Sequence, residues 1–167
     1  MTLQPETLGT WRAGVDVRAE PEQVLATLTD VEACEAWSPV GFEVGGLHSR
    51  RLQVGTKVAV SGAIVGRRVR FCVEIIRADS ERLVLQAAGP VELLAHYVVR
   101  PSGAGSRVDA EISVRRGTGG GAGIAARTAS LVLGAGALKH ALARIGREAE
   151  RRHECMESRG RTTRRAA

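Results

Sequence analysis

The sequence predicts an α+β fold: a curved seven-stranded antiparallel sheet, two short helices, and a long C-terminal helix over a hydrophobic cavity. Three observations predict it. Apolar and polar residues alternate in successive runs between Trp11 and Arg116, the period of half-buried strands. Short turn segments separate the runs, among them Val65-Gly66-Arg67, Ala78-Asp79-Ser80-Glu81 and Gly89-Pro90, and connections so short join antiparallel neighbours. Over residues 122–152 the period becomes helical, with Ile124, Thr128, Leu131, Ala135, Leu138, Leu142, Ile145 and Ala149 on one narrow face.

Each element has its own signal. Residues 1–10 are a polar lead-in. In 11–18, Ala13, Val15 and Val17 alternate with Arg12, Asp16 and Arg18, which reads as a strand with one buried face. Glu20-Pro21 opens a helix, since a proline at the first helical position lacks only an N–H that has no partner there. Val24, Leu25 and Leu28 give that helix its apolar side. Thr29-Asp30-Val31-Glu32 has capping-box spacing, which predicts Thr29 as N-cap of a second short helix. That helix should stop before Trp37-Ser38-Pro39, because Pro39 disfavours the helical conformation at Ser38. Strands follow over 41–47, 57–65, 68–76, 82–88, 91–100 and 106–116. The fourth strand of the chain sets Val69, Phe71, Val73 and Ile75 against Arg68, Arg70, Cys72 and Glu74. The last sets Val108, Ala110, Ile112 and Val114 against Arg107, Asp109, Glu111 and Arg115, so one face needs a cover, and the long helix supplies it. A glycine-rich loop, residues 117–123, feeds the helix. Midway along it, Gly134-Ala135-Gly136-Ala137 lacks bulk although each Gly costs about 1 kcal/mol in a helix, which leaves room for close packing or for a ligand.

Composition bounds the function. The 167 residues suffice for one domain, assigned here to 11–152, with an Arg-rich, disordered tail over 153–167. Aromatics are 3%, so a cavity would be lined mainly by aliphatic side chains. The start of the chain lacks the charged and apolar regions of a secretory signal, and the longest uncharged apolar stretch, 128–138, is too short to span a bilayer. A cytoplasmic protein is expected. The net charge is +6, carried almost entirely by arginine, with Lys57 and Lys139 the two lysines. Arg159, Arg161, Arg164 and Arg165 crowd the tail, but no aromatic residue interleaves with them, so a nucleic-acid partner is not expected. Cys34, Cys72 and Cys155 are odd in number and far apart, which suits a reducing compartment and no disulfide framework.

The segment Val17-Arg18-Ala19-Glu20-Pro21-Glu22-Gln23-Val24, with Leu28-Thr29-Asp30 and Trp37-Ser38-Pro39, resembles the opening of the START-like (SRPBCC) superfamily. Leu52-Gln53-Val54-Gly55-Thr56 and Tyr97-Val98-Val99-Arg100-Pro101, followed by Gly105-Ser106-Arg107-Val108, are similar to its later landmarks. The resemblance covers roughly residues 11 to 150 and includes the polyketide cyclase/dehydrase group and the plant allergen-like ligand binders. It implies a helix-grip fold, in which a curved antiparallel sheet grips the C-terminal helix around a hydrophobic cavity. Members carry lipids, sense hormones, chaperone partners, or cyclise and dehydrate polyketide chains, and a fold with so many uses does not choose among them.

The motifs that carry chemistry elsewhere are weak. Gly117-Thr118-Gly119-Gly120-Gly121-Ala122 matches a loose dinucleotide fingerprint, but no strand with an acidic residue follows the helix. His48, His96, His140 and His153 have no metal-site spacing on an ordered element, and no nucleophile elbow is present. No cofactor and no metal are expected. Two residues suit non-covalent chemistry in a cavity. Tyr97 shares strand parity with Leu93 and Val99 and should point inward, as a core tyrosine or a proton donor. Arg67 shares the parity of Val69 and Phe71, either a turn arginine in water or a cation able to stabilise an enolate. His96 has the opposite parity and should face solvent. Trp37, Phe71, Val73, Leu131, Ala135 and Leu138 are the expected ligand-lining residues. The sequence thus predicts a binder of a hydrophobic small molecule, polyketide or lipid-like, with polyketide cyclase/dehydratase chemistry carried by Arg67 and Tyr97. The alternative is a non-catalytic carrier or sensor of a lipid-like molecule; a third class is an interaction module using the basic tail. A homodimer is compatible with each.

Overall fold

The computed structural model describes residues 7–37, 42–45, 50–64, 67–117, 122–134 and 136–165, with side chains described for all of these except 35–37, 42–44, 63, 64, 67, 122 and 159–165. The elements run β1 (Thr7–Val17), α1 (Pro21–Thr29), α2 (Val31–Trp37), β2 (Phe42–Gly45), β3 (Lys57–Ile64), β4 (Arg67–Ala78), β5 (Arg82–Ala88), β6 (Val91–Ser102), β7 (Gly105–Arg116), α3 (Ala122–Gly134) and α4 (Ala137–Arg165). The strands form one antiparallel sheet in the order β1-β7-β6-β5-β4-β3-β2. Six of them are 7 to 12 residues long. The strand expected over 41–47 is described only as β2, an edge strand of 4 residues. Consecutive strands from β2 to β7 are neighbours, and β1 joins at the β7 edge after α1 and α2 have carried the chain across to β2.

Alternation in the sequence becomes two faces in the register. Ala13 pairs with Ala110, Ala110 with Tyr97, and Tyr97 with Leu83, so one row crosses four strands on the inner face. The next row joins Val15, Val108 and Val99. These side chains pack on Val24, Leu25 and Leu28 of α1 and on Leu138, Leu142, Ile145 and Ala149 of α4. Burying a Leu or Ile fully stabilises a fold by about 1.5–3 kcal/mol, so this cluster is the main source of stability. The opposite face is polar. Arg12 pairs with Glu111 in an ion pair, Arg107 reaches Asp16 at 3.0 Å and Asp109 at 3.2 Å, and exposed His96 lies opposite Glu111.

Local capping differs from the sequence expectation at one place. Gln23 accepts a hydrogen bond from the Glu20 N–H at 3.1 Å and closes the start of α1. The Thr29 hydroxyl, expected to cap α2, instead donates back to the Leu25 carbonyl at 2.8 Å. Asp30 takes the capping role, its carboxylate accepting the Glu32 N–H at 3.0 Å. A short acidic side chain reaches the second helical N–H directly, and Thr29 is still within the last turn of α1.

The larger correction concerns the C-terminal helix, which is two helices rather than one. Gly136 has φ +91 and its N–H bonds the Leu133 carbonyl at 3.1 Å, a left-handed glycine stop at the end of α3. The break rotates α3 relative to the stripe read from the sequence. In α4 the expected face, Leu138, Leu142, Ile145 and Ala149, is buried. In α3 the small residues Ala126 and Ala129, with Leu133, turn inward, while Ile124 is 66% and Leu131 74% exposed. At its other end α4 continues as helix to Arg165, through the segment from His153 expected to be an unstructured tail; residues 154–158 are exposed along it.

Candidate ligand-binding recess

The two C-terminal helices do not cover the sheet evenly. α4 packs mainly on β1, α1 and α2, and α3 on β7, β1 and β6. The inner faces of β3 and β4 lie beyond them. Register places Val58 beside Val73, Val60 beside Phe71, Val73 beside Ala87, and Ala87 beside Leu93 on that face. Val58 and Ala87 are buried, but Val60, Phe71, Val73, Leu85 and Leu93 are only half-buried although they point inward. Trp11 and Leu133, from the strand and helix on the other flank, are half-buried too. An inward apolar side chain in a filled core would be closed off, so the helices leave this apolar part of the inner face partly open, as a recess. Close backbone approach shapes its rim: a Cβ at Gly89 would sit 2.7 Å from the Arg70 carbonyl oxygen and 2.7 Å from the Phe71 ring.

The sequence-predicted residues divide by place. Phe71 and Val73 stand on this partly open face, with Val73 also packed against the main core. Leu138 lies in the main core between α4 and the sheet. Leu131 does not line it, because the turn at Gly136 directs that side chain to solvent. Trp37 is the last residue of α2; its side chain, that of Arg67, and all of Ala135 lie outside the described residues. Sequence reasoning missed Leu85, Leu93 and Ala129. Leu93 shares the parity used for Tyr97, and that signal could have found it.

Arg67 and Tyr97 are not neighbours. Arg67 pairs with Ile64 at the β3–β4 turn. Val73 aligns with Ala87 and Ala87 with Leu93, so Arg67 is six positions before that row and Tyr97 four positions after it. At about 3.3 Å per residue they are about 33 Å apart along the strand direction. Tyr97 is 5% exposed in the main core, at the far end of the sheet. Burial pushes its hydroxyl pKa up to about 12, with the Cys34 thiol nearby adding to the rise. A phenol held so firmly protonated at neutral pH is suited to packing more than to proton transfer.

At that same end a depression of about 360 Å³ lies between α1 and the β4–β5 turn, lined by Leu25, Thr29, Leu52 and Val54 but also by Glu22, Arg51 and Asp79. Its mixed charge sets it apart from the apolar recess. Among the described residues no group of three His, Cys, Asp or Glu could hold a metal ion, and no helix is long and apolar enough to cross a membrane.

No family model matches the sequence, and no curated protein matches it. Solved structures match its fold. Protein TTHA0849 from Thermus thermophilus aligns with a TM-score of 0.61 at 21% identity, over 82% of this chain and 97% of that one. Ara h 8.0201 aligns with a TM-score of 0.55 at 12% identity, over 82% of this chain and 97% of that one. DynU16, from the dynemicin biosynthetic locus, aligns with a TM-score of 0.56 at 17% identity, over 84% of this chain and 47% of that one. At these identities the likeness is one of fold. An antiparallel sheet with a C-terminal helix packed on its inner face is a helix-grip arrangement, here with that helix broken at Gly136.

Proposed function

We propose that the protein is a START-like binder that takes a hydrophobic small molecule into the recess, as a carrier or sensor and without catalysis. The observation that carries this reading is the half-buried, inward-pointing set Val60, Phe71, Val73, Leu85 and Leu93, all of them apolar. Such a lining favours a ligand by removing apolar surface from water, and it offers no group among them to stabilise developing charge. The molecule expected is lipid-like or polyketide-like, with little hydrogen-bonding capacity where it meets β4 and β6.

Polyketide cyclase/dehydratase chemistry is the second reading. The likeness to DynU16 favours it, because that protein belongs to a biosynthetic locus. Against it stands the separation of Arg67 from Tyr97, which keeps the two from one reacting centre. Native mass spectrometry of gently purified protein, beside product analysis with a polyketide-like thioester, separates the readings. A carrier holds an apolar adduct and turns nothing over. Product formation that falls about 100-fold in Tyr97→Phe would reverse the order of the two readings.

A further inference from the structure

Helix α3 carries a surface that the fold does not use. It buries Ala126 and packs Ala125, Ala129 and Leu133 against Val91 and Val114. Its other face holds Ile124 and Leu131, seven positions apart and therefore on one line, with Val132, 39% exposed, on the flank. A groove of about 750 Å³ runs between this face and the start of β1, lined by Leu8, Ile124, Leu131, Arg116 and Arg127. Among the described residues no carboxylate lines it. Between Glu111 and Glu148 the chain has no acidic residue, but it has Arg115, Arg116, Arg127, Lys139, Arg144 and Arg147.

We propose that this face of α3 docks the protein on an anionic lipid surface, with Ile124, Leu131 and Val132 in the headgroup–acyl boundary and Arg116 and Arg127 on lipid phosphates. A helix apolar on nearly all sides is normally enclosed, and α3 is enclosed on one side only. Thirteen residues give it a length of about 20 Å, enough to lie in the interface plane and too short to span the membrane. The exposed apolar residues are all aliphatic, whereas protein interfaces concentrate their energy in aromatic anchors, so a bilayer fits better than a protein partner. A second copy fits worst, because a two-fold contact through α3 would set Arg127 against its own counterpart. The inference does not depend on what the recess holds.

Flotation with vesicles tests it, using phosphatidylcholine alone and phosphatidylcholine mixed with phosphatidylglycerol. The protein should float with the anionic vesicles and not with the neutral ones, and added salt should weaken binding about tenfold or more. Leu131→Ser and Ile124→Ser should each weaken it about five- to tenfold with no change in melting temperature, since both side chains are exposed. Arg127→Gln should weaken it about fivefold. Arg161→Gln combined with Arg164→Gln should bind as the parent does. No flotation with anionic vesicles would overturn the proposal. So would binding that survives Leu131→Ser but is lost in the Arg161/Arg164 variant, or a dimer in solution that Leu131→Ser dissolves.

Discussion

Arg152 Nη1 donates to Asp30 Oδ2 at 2.9 Å, which ties α4 to the junction of α1 and α2. Asp30 is 7% exposed. Burial alone would raise its pKa, but the hydrogen bond and charge of Arg152, the Glu32 N–H and the charge of Arg50 together hold it below the ordinary carboxylate value. Arg152 is itself steadied by Glu148 at 2.8 Å. Because the folded pKa is lowered, the stabilisation is present at neutral pH and lost as pH falls below about 4 through the folded value. Arg152→Met should cost about 1–2 kcal/mol at pH 7 in urea denaturation, since a partly exposed charged hydrogen bond is removed. It should also flatten the acid limb of the stability profile. An unchanged profile would remove this contact from the account.

Tyr97 gives the opposite limb. Its folded pKa is raised to about 12 by burial and by Cys34, so the contribution is full below the unfolded value and is lost as pH rises from about 10 to about 12. The parent should lose about 2–3 kcal/mol across that window, and Tyr97→Phe should not. Equal alkaline loss in both would mean that the ring is not enclosed as described.

Gly136→Leu separates the two views of the C-terminal helix. In one continuous helix the change would favour folding and fill the cavity. With φ +91 and open space around its Cβ position, Gly136 instead marks a turn, and a side chain there is strained without reaching the recess. The variant should lose about 1–2 kcal/mol and keep its ligand affinity. Gly134→Ala has no such strain, its Cβ meeting Trp11 Nε1 at an ordinary 3.9 Å, and should be neutral or slightly stabilising. A stabilised Gly136→Leu would restore the single helix.

We propose that the domain is complete without the end of α4. Residues 154–158 are exposed, so a chain ending at His153 should melt within about 2 °C of the full chain. A larger drop would mean that the segment docks on the domain.

The sheet was legible because a strand's period is two residues, and one buried face then fixes both register and parity. Val15, Val108, Tyr97 and Val73 all point where alternation put them. The order of elements was legible for the same reason. The face of α4 was legible too, but that of α3 was not, because the pattern ranks Ile124 and Leu131 above Ala126 and Ala129, whereas close packing on the sheet selects the small residues. Nothing in Gly134-Ala135-Gly136-Ala137 says whether its glycines serve a close contact or a positive φ. Parity shows which face Arg67 and Tyr97 take and not how far along the sheet each lies, so their separation in the register was not legible.

Probe binding tests the recess most directly. Ala129 is on the inner side of α3, packed with Phe71 and Leu93 in one apolar cluster, so Ala129→Phe should occupy the accessible space without exchanging any polar contact. Titration with a fluorescent hydrophobic probe should saturate at one equivalent for the parent. Affinity should fall about tenfold or more in Ala129→Phe while the variant stays folded, and it should be unchanged in Leu131→Ala, whose side chain is outside. No saturable binding by the parent, or equal binding by Ala129→Phe, would contradict a ligand-binding recess at this place.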